Sequence, residues 1–120
     1  MKIRLTSFIC FFFNFKKNDA NGVNEIGMVV MTHNTHLMGY YDAENALKNR
    51  DAILNEIHRV NPNVLCLQEC YWNTNGGNFL SEESRNEILP GYGVHERATH
   101  ILSDGGRFGL VIFSSYPVVN

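Results

Sequence analysis

Two short apolar runs, residues 26–33 (IGMVVMTH) and 64–69 (VLCLQE), enclose a segment of different period. Within residues 42–60, Leu47, Ile53, Leu54, Ile57 and Val60, with Ala43 and Ala46, fall on one helical face. Lys48, Asn49, Asp51, Asn55, Glu56 and Arg59 fall largely on the other. Asp42 suits an N-cap, and Asn61-Pro62 ends the helix. Apolar runs this short, bounded by turn formers, read as strands buried on both faces. A strand–helix–strand unit leaves few topologies open. The crossover is right-handed and the strands are parallel, so the carboxyl ends of both strands share one sheet edge. Asn34 and Glu69 therefore arrive at that edge together.

The flanking segments are read from composition and turn chemistry. Residues 16–25 (KKNDANGVNE) are polar and contain Asn21-Gly22, a turn dipeptide that predicts a hairpin between extended segments. The opening MKIRLTSFICFFFNF pairs basic Lys2 and Arg4 with an apolar stretch, as a short signal peptide would. Asn14 and Lys16-Lys17 follow it, however, and no small-residue cleavage site does. A strand fits better than an export signal, and the run is too short to span a bilayer. Cytoplasmic placement is accordingly favoured over secretion. The chain thus divides into an N-terminal strand and turn, or signal-like segment, at 1–25, and a domain at 26–120. Beyond Glu69, residues 70–78 read as a loop and 79–89 as a short helix ended by Pro90-Gly91. Residues 92–102 and 108–113 (FGLVIF) read as strands around a turn at 103–106.

Composition limits the functional classes. With 120 residues, 44% hydrophobic and 18% charged, the chain supports a single core. The formal charge is -2, and Lys and Arg are dispersed, so no basic stripe points to nucleic acid. A phosphodiester substrate stays open, because a bound divalent cation can supply the missing positive charge. Cys10, Cys66 and Cys70 are odd in number. The last two lie too far apart for a disulfide in an extended segment, and no second ligand pair suggests zinc. A P-loop, a dinucleotide fingerprint and a Ser-His-Asp arrangement are all absent from the sequence.

Glu69 and Asn34 are the candidate site. A carboxylate directly after a buried strand cannot face the core cheaply, so it reaches solvent, pairs with a cation or binds a metal. The carboxyl edge of a parallel sheet is where open α/β sheets place their ligands. Asn34 offers an amide oxygen to a hard cation or an N–H to a phosphate. Its bland alternative is a loop-capping Asn. The histidines, His33, His36, His58, His95 and His100, have no metal-ligand spacing and read as structural or solvated.

Three segments occur in a telling order: Met31-Thr32-His33-Asn34, Leu65-Cys66-Leu67-Gln68-Glu69, and the stretch GLVIFSSYP at 109–117. They resemble the first three motifs of the endonuclease/exonuclease/phosphatase superfamily, across residues 26–120. The wording is most similar to bacterial-type neutral sphingomyelinases, which share the Met-Thr-His-Asn start and a Gly-Gly like Gly105-Gly106. The resemblance implies an α+β fold, here the N-terminal half of a four-layer sandwich of two mixed β-sheets with outer helices. It also implies phosphodiester hydrolysis with Mg2+ or another divalent cation. Glu69 then matches the metal-binding glutamate, Asn34 the asparagine of the metal and phosphate site, and Ser114 a supporting serine.

The family's middle histidine, its Asp-x-Asn motif and its final Asp-His pair have no match before Asn120. The expectation is a sphingomyelinase-like phosphodiesterase fragment carrying Asn34 and Glu69, inactive as 120 residues. The alternatives are a non-catalytic remnant or truncated product, and a fragment of a DNA-directed endonuclease. A sphingomyelin-like lipid or nucleic acid is the expected substrate of the complete protein. Self-association through an uncovered sheet face is expected as well.

Overall fold

A computed structural model describes residues 9–20, 22–35, 46–73, 80–81, 88–103 and 105–119. Six strands, β1 (Ile9–Asp19), β2 (Gly22–Asn34), β3 (Val64–Asn73), β4 (Leu80–Ser81), β5 (Gly93–Ile101) and β6 (Arg107–Ser114), and one helix, α1 (Ala46–Val60), make up the described secondary structure. The strands form one mixed sheet in the order β1-β2-β3-β6-β5, with β4 beside the end of β3. The architecture is α+β, a mixed sheet with a helix, consistent with part of the expected sandwich.

The strand–helix–strand unit is as its periodicity predicts. β2 and β3 pair in parallel from Val30↔Val64 to Asn34↔Gln68. Ile53 and Ile57 of α1 are buried with Met31, Leu65, Leu67, Val111 and Phe113. Each such side chain contributes about 1.5–3 kcal/mol on burial. The expected N-cap, Asp42, lies outside the described residues. At the other end Asn61 takes φ 48 and its N–H donates to Ile57 O at 2.8 Å, closing the helix. Pro62 is buried beneath it. Asn63 then ties three segments together. Its Oδ1 accepts from Val29 N–H and its own N–H donates to Val29 O, both at 2.8 Å, while its carbonyl accepts from Ser115 N–H at 2.9 Å.

The hairpin expected around Asn21-Gly22 forms. β1 and β2 pair antiparallel down to Asp19↔Gly22, and Gly22 has φ 123, a conformation open to glycine. Cross-strand partners share a face, so Ile9, Phe11 and Phe13 lie with Thr32, Val30 and Met28, away from α1. Cys66 and Ile112 continue that face. Among the described residues no helix covers it, and Phe11, Phe13, Leu110 and Ile112 are exposed on it.

One expectation is corrected. Residues 70–73 are not a loop: β3 runs on to Asn73, pairing Cys70, Tyr71 and Trp72 with Gly109, Phe108 and Arg107. The helix expected at 79–89 falls mostly on residues outside the described ones. At its ends, Leu80 and Ser81 pair with Trp72 and Asn73, and Ile88 and Leu89 are buried at a bend that packs on the core. There His58, expected to be structural or solvated, bonds through Nε2 to Ile88 O at 2.8 Å. No described helix is long and apolar enough to cross a membrane.

Candidate metal-holding edge

The pairing of β3 with β6 contains a two-for-one step. Leu67 faces Val111 and Cys70 faces Gly109, so Gln68 and Glu69 together stand opposite Leu110. This extra residue changes the parity of the strand. Leu65 and Leu67 point into the core, and so do Cys70 and Trp72. Strict alternation would have put Glu69 in the core and turned Cys70 and Trp72 out. The bulge keeps a carboxylate out of the apolar interior while the strand stays long enough to bury the indole of Trp72.

The step has a conformational cost at Glu69. Its φ is 50, in the left-handed region. Glycine is the usual occupant of such a bulge position, and another residue pays roughly 1–2 kcal/mol there. Among the described residues the other non-glycine in this region is Asn61, an ordinary helix-capping asparagine. A glutamate held there is the kind of outlier that marks functional positions.

Neighbouring groups fix the bulge from β2. Asn34, the exposed last residue of β2, is the Cα partner of Gln68, so it stands beside Glu69 at the carboxyl edge. Thr35 N–H donates to Gln68 O at 2.9 Å. The Thr35 hydroxyl lies 2.8 Å from Glu69 O and 3.2 Å from Gln68 O. Gln68 Nε2 reaches back to Thr32 Oγ1 at 2.8 Å and Cys66 O at 3.1 Å. Burial pushes the nearby Cys66 thiol up, keeping it protonated.

The remaining candidates are placed elsewhere. His33 lies in the core, 1% exposed, and burial lowers its pKa to about 4. It is a neutral interior imidazole. Ser114 pairs with Val64 at the start of β3, roughly 15 Å from Glu69 by strand rise. Its hydroxyl accepts from Tyr116 N–H at 3.1 Å and donates to Tyr116 O at 2.9 Å, a local turn. His36 lies outside the described residues. Of the residues named from sequence, the fold therefore brings Asn34 and Glu69 together and leaves Ser114 at the far end. Thr35 and Gln68 were missed. The spacing of Leu65, Leu67, Cys70 and Trp72, two then three then two, is the sequence signal that a bulge falls between 67 and 70.

The donors fit a hard cation better than a soft one. Mg2+ keeps several waters and is commonly held by one or two carboxylates, so an amide and a carboxylate at one sheet edge suit it. Among the described residues no three His, Cys, Asp or Glu side chains converge as a zinc site would need.

No curated protein and no solved structure matches the chain significantly. A family model does, that of the endonuclease/exonuclease/phosphatase family, over residues 31–120, three quarters of the chain. That stretch contains Asn34, the bulge at Glu69 and Ser114, and the chain belongs to the endonuclease/exonuclease/phosphatase family.

Proposed function

We propose that the edge formed by Asn34 and Glu69 is the cation-holding part of a phosphodiester hydrolase site using Mg2+ or a similar divalent ion. The observation that carries this reading is Glu69 at φ 50 in a two-for-one step beside Asn34, a strained placement that packing alone does not require of a glutamate. Glu69 provides the anionic oxygen and Asn34 a neutral one or an N–H to a phosphate oxygen. When bound, the cation supplies Lewis-acid stabilisation of charge on the phosphoryl oxygens. The substrate class is a phosphodiester of a sphingomyelin-like lipid or of nucleic acid. The Met31-Thr32-His33-Asn34 wording and Gly105-Gly106 favour the lipid. The exposed apolar face of Phe11, Leu110 and Ile112 supports self-association, which sedimentation at rising concentration checks; a strict monomer contradicts it.

A second reading, a chain that holds the cation without turnover, is supported by one observation. His33, next to Asn34 in the chain, lies in the core at 1% exposure and so does not turn to the edge to move a proton. Hydrolysis of a chromogenic phosphodiester with Mg2+ separates the two. Turnover lost in Glu69→Ala supports the hydrolase, turnover unchanged in that variant contradicts it, and cation binding with no turnover leaves the second reading.

A further inference from the structure

The left-handed turn at Glu69 has to be held, because the chain relaxes out of that region wherever its surroundings permit. Thr35 is placed to hold it. It is 3% exposed, and its polar contacts all run to the bulge. Gln68 O already accepts the Thr35 amide at 2.9 Å, so the single hydroxyl proton is directed to the nearer acceptor, Glu69 O at 2.8 Å. The β2–β3 ladder ends at Asn34↔Gln68, one residue short of Glu69. The hydroxyl thus stands in for the next backbone donor of the ladder. Rotating the Glu69 peptide out of its conformation breaks this bond and takes the nearer acceptor from a buried hydroxyl. The β-branched Thr35 has a stiff χ1, which makes it a firmer clamp than a freely rotating donor.

We propose that Thr35 is a positioning residue that locks the β3 bulge, and through it aims the Glu69 carboxylate at the site shared with Asn34. The inference rests on the reading of Glu69 as a cation ligand, but it makes a separate claim about the backbone. Thr35 sets the conformation of Glu69 whether or not a cation is bound.

The test compares the wild-type chain with Thr35→Val, which keeps the shape and removes the donor, and Thr35→Ser, which keeps the donor. Two quantities are read. The backbone chemical shifts and HN–Hα coupling of Glu69, without metal, report whether it stays left-handed. The affinity for Mn2+, from water-proton relaxation, reports the site. Thr35→Val is expected to move Glu69 out of the left-handed region and to weaken Mn2+ binding by about tenfold or more, as loss of a supporting hydrogen bond at a metal site does. Thr35→Ser is expected to keep the Glu69 signals and bind within about threefold of wild type. A Val variant with wild-type Glu69 signals and wild-type affinity overturns the proposal. A wild-type chain that takes no Mn2+ sinks the cation reading alone. The Glu69 signals then still decide, since unchanged signals in the Val variant overturn the clamp and displaced ones support it. Should the Val variant not fold, Thr35→Cys, a weaker donor of similar size, replaces it against Thr35→Ser with the same two outcomes.

Discussion

Asn34 and Gln68 are Cα partners in the last rung of the β2–β3 ladder, and Glu69 follows Gln68 into a left-handed turn. Glu69 therefore leaves the ladder one residue beyond the rung that Asn34 makes. Had Glu69 followed the alternation of Leu65 and Leu67, it would have pointed into the core that Trp72 fills.

The strain at Glu69 separates two substitutions that both delete its side chain. Glu69→Gly and Glu69→Ala lose the same contacts, but alanine keeps the cost of the left-handed conformation. Urea denaturation should find the Gly variant more stable than the Ala variant by about 1 kcal/mol, with neither holding a cation. Equal stabilities would mean that φ at Glu69 carries no cost.

A second expectation concerns Gly106 and Tyr71. A Cβ on Gly106 would lie within 2.6 Å of Tyr71 Cζ, so the glycine is there for the approach of the ring. Tyr71 is buried on β3 and cannot swing into solvent freely. Gly106→Ala should destabilise the chain by about 1–3 kcal/mol in chemical denaturation, the usual cost of overpacking. Combining it with Tyr71→Leu should cost less than the sum of the two single changes.

Acid should unfold the chain in part through His33. Its ordinary pKa of 6.5 falls to about 4 in the fold because burial disfavours the charged ring. The unfolded chain binds the proton first as pH falls. The contribution of His33 is complete above about pH 6.5 and is lost progressively toward pH 4, for a total of about 3 kcal/mol. Urea midpoints measured across this window should fall in the wild type and flatten by that amount in His33→Leu. A His33→Leu chain with the wild-type pH profile would show that another group dominates.

The sequence made some of this legible and hid the rest for physical reasons. The β2–α1–β3 unit showed because its periodicities are local: Ile53 and Ile57 lie four apart and both reach the core. The edge meeting of Asn34 and Glu69 followed from the parallel crossover. The continuation of β3 past Glu69 was hidden, because Gln68-Glu69 reads as a polar strand end when it is a bulge. The pairing of Leu80 with Trp72 depends on residues outside its own segment, which local propensity does not carry. Thr35 was invisible for a different reason, since its role exists only once Glu69 takes a positive φ. Ser114 came from motif resemblance alone, and the fold gives it a turn at the opposite end of β3.

The central claim is that Asn34 and Glu69 hold a divalent cation at the β2–β3 edge. Titrating Mn2+ into the isotope-labelled chain and following paramagnetic broadening of the backbone amides tests it most directly. Broadening is expected to centre on Thr35, Gln68, Glu69 and Cys70, to be competed away by Mg2+ and to be absent from Glu69→Ala. Broadening centred elsewhere, or persisting undiminished in Glu69→Ala, would contradict it.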